Sequence, residues 1–182
     1  MRASVHFSTL LSRSAALTTL AAAVFVCFLL LAGQAAAEPM EVGDRIATFT
    51  LEDQHGASHT FDENVHILLF SRDMEGGKLL KEALAETPAG FLDERHAIYV
   101  SDISGMPGLV ARMIAIPRMR DRAYPMWLDR DGEATARLPD EEGKATLVFC
   151  RDRAITRIEH LATAEEVRAL LEPSVPPATG DE

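Results

Sequence analysis

Two strand-and-helix units in succession constrain this chain more than any other feature of it. Val65 to Phe70 is apolar except at His66, as a central strand covered on both faces would be. Gly76-Gly77 then gives way to Lys78-Leu79-Leu80-Lys81-Glu82-Ala83-Leu84-Ala85, whose apolar residues share one helical face, and Thr87-Pro88-Ala89-Gly90 stops that helix. In the second unit, Ala97-Ile98-Tyr99-Val100 ends at Ser101-Asp102, and a helix runs from Pro107 to Ile116, opened by one proline and closed before Pro117. Strands joined through helices pair in parallel, so the chain is expected to be α/β, with a central sheet and crossover helices.

The remaining segments add two hairpins and a short apolar strand. Ile46 to Leu51 and Ser58 to Phe61 flank the polar turn Glu52-Asp53-Gln54-His55-Gly56 and form a hairpin. Met126-Trp127-Leu128 is followed by the turn Asp129-Arg130-Asp131-Gly132. Ala145 to Cys150 and Ala154 to Glu159 are separated only by Arg151-Asp152-Arg153, so they are antiparallel neighbours. Thr163 with Glu166 makes a capping box, and the stripe Val167, Leu170, Leu171 ends at Pro173.

Arg2 and Arg13 are the only charges before Glu38, an apolar run spans Ala15 to Ala32, and Ala35-Ala36-Ala37 supplies small residues for cleavage. Residues 1–37 therefore read as a signal peptide cut after Ala37, residues 38–172 as one domain, and residues 173–182 as a Pro-rich, acidic, disordered tail. The expected location is periplasmic or secreted, without stable membrane insertion after cleavage. Cys27 leaves with the signal and lacks a lipoprotein context. What remains carries 16 basic and 28 acidic residues, a balance that argues against nucleic acid and anionic lipid as partners. Cys150 is then the one cysteine left, so an intramolecular dithiol cycle is excluded by counting. Within Thr146-Leu147-Val148-Phe149-Cys150 it reads as a small buried hydrophobe of raised pKa.

Three segments resemble the thioredoxin-like proteins of the periplasmic thiol-disulfide and peroxiredoxin branches. Val42-Gly43-Asp44 followed by Phe49-Thr50-Leu51-Glu52-Asp53-Gln54-His55-Gly56 is similar to the family opening. Trp127-Leu128-Asp129-Arg130-Asp131-Gly132 resembles the segment after the inserted strand, and Thr146-Leu147-Val148-Phe149 the strand that follows a cis-proline in the family. The resemblance implies a thioredoxin-like three-layer sandwich, a central mixed sheet with helices on both faces.

It also implies an active site that this chain has lost. Laying the family's Trp-Cys-Gly-Pro-Cys-Lys on the sequence puts Asp73 at the Trp, Met74 at the first Cys, Gly77 at the second and Lys78 at the basic residue. That chemistry needs a thiolate at a helix N-terminus and a second thiol one turn on. A thioether does not ionise, and glycine has no side chain. Ala145 stands at the cis-proline position, where a non-proline cis bond would cost about 3 kcal/mol. The peroxiredoxin Thr-x-x-Cys is matched by Ser71-Arg72-Asp73-Met74, which keeps the hydroxyl and loses the sulfur.

The loops at the carboxyl ends of the strands are expected to bring together Ser71, Arg72, Asp73, Met74, Gly76, Gly77, Lys78, Asp102, Lys144 and Ala145. Open amides at Gly76 and Gly77, with Arg72, Lys78 and Lys144 as counter-charges, would suit an anion; capping and a tight turn explain the same residues without one. Asp102 reads equally as an acid-base group or as an Asx turn into Ser104-Gly105. No cofactor is expected, since no Gly-x-Gly-x-x-Gly follows a strand. No metal is expected either, because His55, His59, His66, His96 and His160 lack ligand spacing. Arg112, Arg118, Arg120 and Arg122 form a basic cluster, read as a solvated face that could also meet an acidic partner. Met106, Met113, Met119 and Met126 read as core filling or its margin. The expected function is a redox-inactive binding or accessory module for a periplasmic protein, a peptide or a small anion. The alternative is an enzyme, thiol-dependent or peroxidase-like, working through Cys150 or an acid-base pair such as Asp73 with Asp102.

Overall fold

The computed structural model describes residues 38–172; the expected signal peptide with Cys27 and the expected tail lie outside the described residues. Strands β1 (Thr50–Asp53) and β2 (Ser58–Thr60) form the opening hairpin, turning at Gly56 with φ +88. At the centre lies β3 (Ile67–Ser71), pairing in parallel with β4 (Ala97–Asp102), which pairs in parallel with β5 (Met126–Asp129). On the other side of β3, β6 (Ala145–Arg151) and then β7 (Ala154–Leu161) continue antiparallel. The sheet is seven-stranded and mixed, in the order β2-β1-β5-β4-β3-β6-β7, so the α/β class expected from the sequence holds. The short apolar segment at Met126 does more than the sequence suggested: as β5 it joins the hairpin to the parallel core by pairing with β1.

Helix α1 (Met74–Ala83) follows β3. Helix α2 follows β4 and runs through Gly108–Val110, a π-type turn at Ala111–Ala115, and Ile116–Met119. Helix α3 (Ala164–Leu171) carries the expected capping box: Thr163 Oγ1 accepts from the Glu166 amide, and the Glu166 carboxylate accepts from the Thr163 amide. Strand β1 occupies Thr50–Asp53 where the sequence reading puts a strand over Ile46 to Leu51, and two helix boundaries also differ. Helix α1 starts at Met74, not Lys78, because Asp73 caps it and draws both glycines into its first turns. Helix α2 passes through Pro117 instead of stopping before it. A proline within a helix lacks an amide proton and crowds the preceding turn; the widened turn, in which the Ile116 amide bonds to the Ala111 carbonyl, makes that room.

The alternation of side chains across the sheet separates two buried clusters. In one, Leu69, Tyr99 and Leu147 meet Leu80 and Leu84, Ala111, Val167 and Leu171. In the other, Leu68, Phe70, Val100, Trp127 and Val148 are covered by Met40, Ile46, Phe61, Val65 and Leu138. Helices α1, α2 and α3 all contribute to the first cluster. Crossovers of one hand that step from β3 to β4 to β5 in a single direction place their helices on one face. Helices were expected on both faces, but among the described residues the opposite face is covered by irregular chain: the stretch before β1, the segment after β2 and the connection 130–144.

Candidate functional site

The carboxyl ends of β3, β4 and β5, the start of β6 and the first turn of α1 meet at one edge of the sheet. Register places Ser71 beside Ser101, Asp102 beside Asp129, and Phe70 beside Thr146, so the segments expected to converge do so. Met74 is 73% exposed at the first position of α1. All peptide bonds of the described residues are trans, including the one at Ala145.

The chemistry at this edge is not that of an open anion cradle. Asp73 Oδ1 accepts from the Gly76 amide at 2.7 Å and Oδ2 from the Gly143 amide at 2.7 Å, so the protein's own carboxylate occupies the helix N-terminus. All three expected counter-charges are engaged. Lys78 Nζ lies 2.6 Å from Glu75 Oε1, and Lys144 Nζ 2.7 Å from Glu141 Oε1. Arg72 donates from Nη1 to Asp102 Oδ2 at 3.0 Å, from Nε to Asp140 Oδ1 at 3.0 Å and from Nη2 to the Thr135 carbonyl at 2.9 Å. Asp102 also accepts from the Ser104 amide at 2.9 Å, the Asx turn, and from Thr135 Oγ1 at 3.2 Å. With Asp102 buried and its acceptors filled, this group is a brace for the 130–144 connection.

The two glycines differ in what surrounds them. A Cβ on Gly76 would overlap the Lys144 carbonyl, so the close approach of the β6 entry to α1 requires glycine there. A Cβ on Gly77 would lie 3.6 Å from Ser71 Oγ and 3.8 Å from the Tyr99 hydroxyl, ordinary contacts. Beneath it, Ser71 Oγ and Tyr99 Oη are hydrogen-bonded at 3.1 Å, and burial pushes the Tyr99 pKa up to about 12. Among the described residues the buried Tyr124 hydroxyl has no hydrogen-bond partner.

Cys150 is buried near the opposite end of β6, its amide bonded to the His66 carbonyl. It lies five positions along the strand from Ala145, roughly 16 Å at strand rise. Burial pushes its thiol up to about 11, which leaves about one molecule in ten thousand ionised at pH 7.

Sequence reasoning missed three features. Asp53 accepts from the His55 and Ala57 amides at 2.8 and 3.0 Å and pairs with His59 Nε2 at 2.9 Å, while the His59 ring stacks on Trp127 at 5.2 Å. Burial works against the Asp53 carboxylate, yet hydrogen bonds from His59 and those two amides outweigh it and hold its pKa below the ordinary value. An Asp before a Gly-containing turn with a His beyond it was the available signal. Asp129 is wholly buried and takes the Gly132 and Thr135 amides at 3.0 and 2.8 Å. Met113, expected at the core or its margin, is 67% exposed on α2, where Leu109, Val110 and Ile114 are exposed with it.

No protein-family model and no curated protein matches the chain. Solved structures do. A candidate protein disulfide isomerase from Bacteroides thetaiotaomicron is 16% identical, over 72% of this chain and 86% of that one, with a TM-score of 0.51. Peroxidoxin BcpB from Mycobacterium tuberculosis is 20% identical over 72% of this chain and 96% of that one, with a TM-score of 0.49. StoA from Bacillus subtilis is 15% identical over 70% and 98%, with a TM-score of 0.45. The mixed sheet order, the helix that opens at the carboxyl end of the central strand and the likeness to the first of these structures together show that the chain has a thioredoxin-like fold.

Proposed function

We propose that this protein is a redox-inactive, thioredoxin-like binding or accessory module of the periplasm. One observation carries the reading: at the N-terminus of α1, Met74 and Gly77 stand where the resemblance puts the two sulfurs, and Cys150 is buried at the far end of β6. Peroxide reduction and disulfide exchange begin with an accessible thiolate; Cys150 offers neither access nor ionisation. An acid-base enzyme built on Asp73 and Asp102 has equally little support, because both carboxylates hold main-chain amides and Asp102 also holds Arg72. Among the occupants foreseen for a binding module, a peptide or protein suits the molecule better than a small anion, since the expected anion pocket is filled by Asp73. The signal-like residues 1–37 support a periplasmic location, and no helix among the described residues is long and apolar enough to cross a membrane.

The test is turnover. Protein purified from expressing cells is expected to reduce insulin disulfides and to consume peroxide with a thiol donor no faster than a heat-treated control. Native Cys150 is expected to resist iodoacetamide at pH 7 and to react within minutes once unfolded in urea. Thiol-dependent turnover well above the control, together with rapid native labelling, would overturn the proposal.

A further inference from the structure

Two properties coincide on helix α2. Six large hydrophobic side chains are exposed among the described residues, and four of them are here: Leu109 at 71%, Val110 at 40%, Met113 at 67% and Ile114 at 48%. Their spacing makes one stripe, while Ala111, Ile116 and Met119 hold the helix to the domain from its other side. Clustered exposed apolar side chains of this kind mark interaction surfaces.

The same segment reverses the charge of the protein. Residues 108–122 contain Arg112, Arg118, Arg120 and Arg122 against one acid, Asp121, in a chain of formal charge −10. Neither Arg112 nor Arg118 forms an ion pair among the described residues, whereas Arg120 Nε donates to the Gln54 carbonyl at 3.0 Å. An open groove of about 330 Å³, lined by Ile103, Met106, Ala111, Arg112 and Ile116, adjoins the helix; Leu109, Val110, Met113 and Ile114 do not line it. A partner matching this surface carries apolar and acidic side chains together.

We propose that the exposed face of α2 docks an acidic amphipathic segment of a partner protein. The apolar side chains of that segment lie on Leu109, Val110, Met113 and Ile114, and its carboxylates face Arg112 and Arg118. This rests on the reading of the protein as a binding module, and it places the docking site on α2 instead of on Met74 and its neighbours. A second copy fits less well, since a two-fold contact through this face would bring two arginine-bearing surfaces together. An anionic bilayer also fits less well: the stripe spans under two turns, carries no aromatic anchor and belongs to a strongly acidic protein.

The probe is a displayed library of random 12-residue peptides, panned on protein purified from cells expressing the full chain. Expected is enrichment of Asp and Glu with Leu, Ile or Phe at helical spacing. Binding of the enriched peptides should fall at least tenfold in Arg112→Glu/Arg118→Glu and in Leu109→Ser/Met113→Ser, and should weaken from 20 to 300 mM salt. All four substitutions are at exposed side chains, and circular dichroism and thermal unfolding verify that the variants fold. Enrichment of neutral or basic peptides, binding unaffected by either variant, co-sedimentation with vesicles containing 30% phosphatidylglycerol, or self-association abolished by Leu109→Ser/Met113→Ser each overturns the proposal. Peptides lost on Met74→Ser instead would refute the α2 site and leave the binding-module reading intact. Thiol-dependent turnover would refute that reading whatever α2 binds.

Discussion

Gly76 and Gly77 are adjacent and chemically identical, yet their surroundings assign them opposite consequences. Alanine at 76 must push against the Lys144 main chain, which is not the flexible end of a side chain. Gly76→Ala is therefore expected to destabilise by about 1–3 kcal/mol, as overpacking does. Alanine at 77 meets only ordinary contacts and gains helix propensity, so Gly77→Ala is expected to stabilise by about 0.5–1 kcal/mol. Urea unfolding of both variants decides the matter; equal effects would mean that the β6 entry does not press on α1. From sequence, the pair read as a tight turn before the helix. Asp73 was legible as a capping residue, but the second amide it holds, that of Gly143, lies seventy residues away and has no local signal. Met74 and Gly77 were legible as lost sulfur positions through the family resemblance and through nothing else.

Among elements, the connection 130–144 was the least legible and is the most dependent on single side chains. It carries neither helix nor strand, and it is anchored through Arg72, Asp102 and Asp129 from the ends of three strands. Removing one partner of a buried ion pair leaves the other uncompensated. Arg72→Ala is expected to cost about 2–4 kcal/mol and to speed amide exchange across 130–144 more than in α3. Arg72→Lys should restore little, because one ammonium does not span Asp102, Asp140 and the Thr135 carbonyl. Unchanged exchange in 130–144 with Arg72→Ala would show that this brace is not what holds the connection. For α2, the two prolines marked a helix, but not which side of it faces the core. The four arginines read as a solvated face, and only the packed structure places exposed apolar side chains beside them.

Taken as a whole, the molecule carries opposite pKa shifts that bound its stability on both sides of neutrality. Asp53 has a pKa below its ordinary value, and so has Glu166, held down by the Ala162 amide and by Thr163. The stability these carboxylates contribute is complete above their unfolded pKa values, near 4, and is lost as pH falls further. Cys150 behaves in the opposite sense. Its folded pKa of about 11 lies above the unfolded value near 8.5, so the unfolded chain ionises first and stability declines as pH rises past 8.5. Chemical denaturation across pH is thus expected to show a plateau from about pH 5 to 8 with a limb on each side. Asp53→Asn should flatten the acid limb, and Cys150→Ala the first part of the alkaline one. Limbs that do not respond would assign the pH dependence to other groups.

Local pattern determined the α/β class, the order of strands and helices, the capping box at Thr163 and the absence of a second thiol after residue 37, because each depends on neighbours within a few positions or on counting. The alternation of β3 and β4 with helices also implied the parallel core. Tertiary structure alone decided that Asp73 fills the site expected to bind an anion, that Arg72 braces a loop instead of serving as an anion's counter-charge, that α2 leaves an apolar stripe uncovered, and that irregular chain covers the second face of the sheet. Those outcomes depend on which distant segments meet, and hydrogen bonds and packing between residues tens of positions apart leave no periodicity in the chain.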